Sequence, residues 1–336
     1  MNASPQTASP PSGLTCWVLS EGMAGTENQC LALATALGLE PEIKRAVTAA
    51  PWRWLKGAMT GLPPSLTAHG RDPLAPPWPD LLIASGRKCV GLALAIRRAS
   101  RGKCFTVFVQ NPRWGGNDFD LIVAPRHDNI VGANIFHTRG ALSRVDAPRL
   151  AAAAEHFKST FEHLPRPLVA CLIGGASRRH RLTPAGARIM GTALAEFAAE
   201  SGAGFLITAS RRTAPESFAA FEAALADTPT FIWRGEGENP YLGFLALADG
   251  ILVTADSVSM VSDACATGKP VHILPMEGRQ PAQFERFFAA LQDEGTAHPF
   301  TGTLPPANYT ALNDCALAAA EIARRMAARN ISNGDA

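Results

Sequence analysis

Charge is scarce in this 336-residue sequence: Asp, Glu, Lys and Arg make up 18%, and 31 basic against 29 acidic residues leave a net charge of only +2. A sequence pI near 8.2 is not the strongly basic footprint of a dedicated nucleic-acid binder, so nucleic acid is not an expected partner. No stretch reaches the roughly 20 uninterrupted apolar residues that span a bilayer. Residues 1–13, MNASPQTASPPSG, have neither a basic n-region nor an apolar core and read as a disordered lead-in, not a signal peptide. The seven cysteines include no C-x-x-C pair and no histidine at metal spacing. They read as small buried hydrophobes in a reducing compartment, and no metal is expected. Neither G-x-G-x-x-G nor G-x-x-x-x-G-K-[ST] occurs, which argues against an NAD enzyme and a P-loop NTPase. The expected location is cytoplasmic, with membrane contact confined to the inner face and to a surface patch.

What is present is apolar mass: 47% hydrophobic residues at a mean hydropathy of +0.04, in a length that suits two domains. From Leu14 short β-type runs alternate with longer helical ones, the pattern of βα units on a parallel sheet. In the first half strands are expected at 15–20, 42–47, 81–84, 104–109, 119–123 and around 130–136, with a helix at 87–99. Thr26 and Gln29 form a capping box for a helix ending near Gly38. The Pro- and Gly-rich segment 61–79 reads as a long surface connection. A helix over 147–163 leads to HLPRP (163–167), the expected boundary between a domain at 14–163 and a second at 168–336, with the last helix free to pack back on the first. The alternation restarts with strands at 168–173, 205–208, 230–233, 251–254 and 271–274. Thr183, Thr213 and Asn239, each beside or near a proline, suit helix starts.

In an open parallel sheet the ligand crevice lies beyond the carboxyl ends of the strands. In the second half those positions are rich in arginine: Arg178, Arg179 and Arg181 after the first strand, Arg211 and Arg212 after the second, Arg234 after the third. Guanidinium forks suit phosphate oxygens, so an anionic ligand is expected. Gly174 and Gly175 directly after a strand allow either close approach of a ligand or a plain tight turn. In TADSVSMVSDACATGKPVHILPM (254–276), Asp256 or Ser257 can cap a helix that runs to Thr267. Its amino end is an anion site, and Asp263, one turn beyond Ser259, can accept from ribose hydroxyls.

This S-x-S-x-x-S-D-A-x-x-x-G-K-P stretch resembles the donor-site element of glycosyltransferases with the two-Rossmann GT-B fold, shared by non-hydrolysing nucleotide-sugar 2-epimerases. EGMAGTENQ (21–29), PWRWL (51–55), ASGRK (84–88), VQNPR (109–113), IVAPRHD (122–128), IGGASRRH (173–180), TASRRT (208–213) and ENPYLGFLALAD (238–249) narrow the match. Together they look like the bacterial branch of the mitochondrial-fission "elongated mitochondria" family, over about residues 14–325. The resemblance implies an α/β protein of two Rossmann-like parallel-sheet domains facing a central cleft. It implies a nucleotide sugar or nucleoside diphosphate held by the second domain as substrate, with no separate cofactor, through Gly174, Gly175, Ser177, Arg178, Ser210, Arg211, Arg212, Asn239, Asp256, Ser257, Ser259 and Asp263. Two departures stand out: Glu21 and Thr26 occupy places where the family's first loop typically has Asp and His, and Asp263 stands where the GT-B donor loop usually has Glu.

A sugar transfer also needs a base for the acceptor hydroxyl. Glu21, His127 and Asp128 are the acid/base side chains at expected strand tips of the first half, and Glu21 ranks first. Trp52 and Trp54, beside Arg53 and Lys56, suit either a membrane interface facing a lipid-linked acceptor or a helix packed on its sheet. The functional expectation is a glycosyltransferase with an unidentified acceptor. A non-hydrolysing epimerase and a non-catalytic scaffold akin to fission factors are the alternatives.

Overall fold

The runs CWVLS, LLIAS, FTVFV and LIVAP are buried at every position, as strands covered on both faces must be. They form the centre of the first of two large sheets in a computed structural model that describes residues 13–50, 62–177 and 179–334. Trp52, Arg53, Trp54, Lys56 and Arg178 lie outside the described residues. The chain divides into two units, Met1–Arg144 with Asn313–Ala336, and Val145–Leu312.

Unit 1 comprises β1 (Cys16–Ser20), α1 (Ala24–Ala36), β2 (Glu42–Thr48), α2 (Pro64–Thr67), β3 (Ala68–Gly70), β4 (Leu81–Ser85), α3 (Val90–Ala99), β5 (Phe105–Val109), β6 (Leu121–Pro125) and β7 (Ile135–Thr138). Its sheet runs β3-β2-β1-β4-β5-β6-β7, parallel except for the β2–β3 pair. Strand order reverses between β1 and β4, which places the crevice of this unit at their carboxyl ends. Apolar clusters cover both faces, one around Leu33, Val107 and Leu121, the other around Leu92, Phe108 and Phe119.

Unit 2 comprises α4 (Ala147–Phe161), β8 (Leu168–Ile173), β9 (His180–Arg181), α5 (Pro184–Ser201), β10 (Gly204–Ala209), α6 (Pro215–Ala223), β11 (Thr230–Trp233), α7 (Tyr241–Leu247), β12 (Gly250–Thr254), α8 (Val258–Cys265), β13 (Val271–Leu274), β14 (Glu277–Gly278), α9 (Ala282–Asp293) and β15 (His298–Pro299). Its six-stranded sheet runs β11-β10-β8-β12-β13-β15 and is parallel throughout, with the reversal between β8 and β12. The last helix, α10 (Asp314–Gly334), belongs to unit 1, where Ala318 and Ile322 are fully buried beside Leu33 and Ala34.

Several local expectations change. The division falls at 144/145, not at 163–167: α4 groups with unit 2 because Phe161 is buried against Leu168 and Phe244. α1 starts at Ala24, so Thr26 is no cap; its hydroxyl donates to the Met23 carbonyl, and Gln29 donates to the Gly25 carbonyl. The described part of segment 61–79 holds α2 and β3, and the strand expected around 130–136 is β7, at Ile135–Thr138. α8 stops at Cys265, short of Thr267. Thr183 caps α5 by accepting from the Gly186 amide, whereas α6 has no side-chain cap and the Thr213 hydroxyl donates to the Gly174 carbonyl.

Candidate functional site

Unit 2 presents three adjacent loops after β11, β10 and β8, and these carry Arg179, Arg211, Arg212 and Arg234 to one edge, whereas Arg181 lies in β9. Two of them are engaged within the protein: Arg234 pairs with Glu222 of α6, and Arg212 pairs with Asp256 at 2.7 Å. Arg179 and Arg211 are exposed.

Asp256 is not a cap and does not face solvent. Its side chain has 0% exposure. It accepts from the Gly175 amide at 3.2 Å, the Thr254 hydroxyl at 2.7 Å and an Arg212 nitrogen at 2.7 Å. The Thr254 hydroxyl in turn accepts from the Gly174 amide at 2.7 Å. This bonding closes the switch point between β8 and β12. It also accounts for the two glycines: a Cβ on Gly174 would lie 1.8 Å from Asp256 Oδ1, and one on Gly175 would lie 2.1 Å from the Arg212 carbonyl oxygen. The close approach is made by the protein itself.

Around this point the polar side chains shape turns. Ser257 caps α8, accepting from the Met260 amide at 3.3 Å, with half-buried Ser259 in the first turn. Ser177 accepts from the amides of Arg179 and His180, and Ser210 from that of Arg212. Asn239 accepts from the Tyr241 amide at 3.0 Å and so fixes the start of α7. Half-buried Asp263 accepts from the Tyr241 hydroxyl at 3.0 Å; burial first, and then the Asp263 charge, push that phenol well above its ordinary range. Tyr241 and Thr254 were missed in the sequence, where only their nearness to Asn239 and Asp256 marked them; Thr213 was singled out, but as a helix start.

In unit 1, Glu21 follows β1 at the switch point. Its Oε1 accepts from the Lys88 amide at 2.9 Å, and its Oε2 lies 3.7 Å from Lys88 Nζ. Gly86, at φ 92°, leaves the space this carboxylate fills, since a Cβ there would come within 2.6 Å of Glu21 Oε1. Buried His127 and half-buried Asp128 sit in a 3-10 turn after β6. β4 and β5 intervene, so three strand spacings of about 4.8 Å separate these tips from that of β1. The three acid/base residues therefore do not form one cluster. Glu27, passed over in the sequence, is buried beneath Glu21's loop; its bonds to Arg45, with that of Ser20, hold its carboxyl below the ordinary range.

Burial pushes the thiols of Cys16, Cys30 and Cys104 up to about 12, leaving them inert. Among the described residues no group of three or more His, Cys, Asp or Glu could hold a metal ion, and no helix is long and apolar enough to cross a membrane.

A family profile described as mitochondrial fission ELM1 matches residues 24–326. The chain belongs to the ELM1 family. An Arabidopsis thaliana relative, mitochondrial fission protein ELM1, is 33% identical over 281 residues, covering 76% of this chain and 65% of the plant protein, just under two thirds of its length. The uncharacterized protein RP120 of Rickettsia prowazekii (strain Madrid E) is 26% identical over 275 residues, 70% of this chain and 77% of its own. Among solved structures, a candidate UDP-N-acetylglucosamine 2-epimerase from Listeria monocytogenes matches with a TM-score of 0.54 at 14% identity, over 94% of this chain and 91% of that one. Acinetobacter baumannii MurG matches with a TM-score of 0.52 at 13% identity, over 93% and 94%. This ELM1-family chain thus has a GT-B-like fold of two Rossmann-like α/β units.

Proposed function

We propose that the chain binds a nucleoside diphosphate or nucleotide sugar at the carboxyl edge of unit 2, and that it transfers the sugar to an acceptor engaged by unit 1. The observation that carries this reading is the start of α8. Its first amides, behind the Ser257 cap, open beside the switch point that Asp256 closes, with exposed Arg211 on the neighbouring loop and Asp263 further along the helix. Such an arrangement suits a diphosphate at the helix start and a ribose at the acid. The Listeria protein's name, which denotes an enzyme acting on a UDP-sugar, supports the same ligand class. In calorimetric titration UDP should bind more tightly than uridine, and Arg211→Ala should erase much of the difference, about tenfold for one charged hydrogen bond. Equal affinity for nucleoside and diphosphate would overturn the reading.

Of the three acid/base residues, Glu21 is the base in this proposal: it alone stands at the switch point of its sheet. Glu21→Gln should leave UDP affinity intact and lower turnover by about 10²–10⁴-fold. A non-catalytic scaffold is the second reading, favoured by the engagement of the Glu21 carboxylate with Lys88. A wild type that binds nucleotide sugar yet neither transfers, epimerises nor hydrolyses it would decide for the scaffold.

A further inference from the structure

Unit 1 carries a row of cations at the carboxyl edge of its sheet. β4, β5 and β6 are consecutive and parallel, so their carboxyl ends lie side by side. Arg87 and Lys88 follow β4, Arg113 follows β5 after Gln110-Asn111-Pro112, and Arg126 follows β6 directly; all four are exposed. The row is two strand spacings wide, about 10 Å, which long side chains can close around one or two phosphate groups. The acids at these tips are Glu21, which is tied to Lys88, and Asp128. Three other arginines of the unit are held by carboxylates, Arg45 by Glu27, and Arg97 and Arg329 by Asp120. Arg87 and Arg113 have no such partner among the described residues.

The backbone of the same loops points the same way. Among the described residues four that are not glycine have positive φ, and two of them, Gln110 (76°) and Arg113 (68°), flank Asn111-Pro112 in the loop after β5; a third, Asn129 (50°) after β6, is of a type that tolerates this backbone. Arg113 is held there by its amide bond to Asn111 Oδ1 at 2.8 Å. A long side chain in the left-handed region is disfavoured, and such positions persist where a site fixes the direction of a side chain. We propose that this row is a phosphate-binding site, and that the acceptor engaged by unit 1 is a phosphate or diphosphate ester. The word acceptor rests on the transferase reading; the anion site does not.

The full chain is titrated calorimetrically with inorganic pyrophosphate and with farnesyl diphosphate, each alone and with UDP at saturation. Pyrophosphate should still bind once when UDP is saturating. Arg87→Ala and Arg113→Asn, the latter a residue that tolerates left-handed backbone, should each weaken that event about tenfold and leave UDP affinity unchanged. Arg211→Ala should do the reverse. Tighter binding of farnesyl diphosphate than of pyrophosphate assigns the phosphate to a lipid headgroup, and equal affinities assign it to a water-soluble ester. No pyrophosphate binding under UDP, or binding by the double variant equal to wild type, overturns the site. Loss of UDP binding alone, with the pyrophosphate response intact, overturns the nucleotide reading and leaves this one standing.

Discussion

Alanine at position 256 would strip one acceptor from three donors at once: the Gly175 amide, the Thr254 hydroxyl and the Arg212 guanidinium. Removing one partner from a buried charged network typically costs about 3–5 kcal/mol, so urea unfolding of Asp256→Ala should show a loss of that order. Gly174→Ala should be comparably harmful, because its Cβ must displace the same carboxylate. If both variants unfold at the wild-type midpoint, the carboxylate is no keystone. In the sequence Gly174 and Gly175 allowed either a ligand's approach or a tight turn, and Asp256 was a candidate cap and, by resemblance, a ligand contact; the bond that joins them was not legible. Position along the chain conceals the reason: Gly175 and Asp256 are 81 residues apart, and only the pairing of β8 with β12 brings them together. Ser257 was legible because a cap and the amide it satisfies are three residues apart.

Elements were legible where their signal is local. The five strands expected in the second half appear within a residue of their expected ends, since each is a buried run bounded by loop residues. The order of strands in a sheet has no such local signal, which is why the sequence offered Glu21 and His127 as strand-tip candidates without showing that β4 and β5 lie between them. Lys269 is a further case: in the G-K-P run it follows the cap-like Gly268, and its partners lie some twenty positions back. Its ammonium donates to the carbonyls of Ala246 and Ala248, at the carboxyl end of α7. Burial lowers its pKa from 10.5 to about 8. Below pH 8 both native and unfolded chains carry the charge, and the cost of burying it is present in full. Between about 8 and 10.5 the unfolded chain holds more protons than the native one, so the contribution of this residue to stability rises with pH. Denaturation midpoints taken at pH 7, 8, 9 and 10 should show the wild type gaining on Lys269→Met across the upper half of that range. A constant difference would place the ammonium in contact with water.

For the whole molecule the chain order and the folding units differ. Residues 313–334 return to unit 1, and their contribution is large for a single helix: Ala318 and Ile322 are fully buried, with Ala319, Ala323 and Met326 nearly so. Asp314 accepts from the amides of Arg139 and Gly140, both at 3.0 Å, which anchors the helix start. Arg325 donates to the Asp120 and Ala133 carbonyls further along. Burying an Ile or Met side chain is worth about 1.5–3 kcal/mol, against a total of about 5–15 kcal/mol for a typical domain. Two such side chains, the alanines and the anchoring bonds together amount to most of that margin. Residues 13–144 expressed alone should therefore lack a cooperative thermal transition, and fusing 313–334 to their carboxyl end should restore one. Residues 145–312 hold their own apolar clusters on both faces of the second sheet and should unfold cooperatively as an isolated fragment. A sharp melt from 13–144 without the helix would show that α10 merely decorates unit 1; a non-cooperative melt from 145–312 would show that the second unit depends on the first.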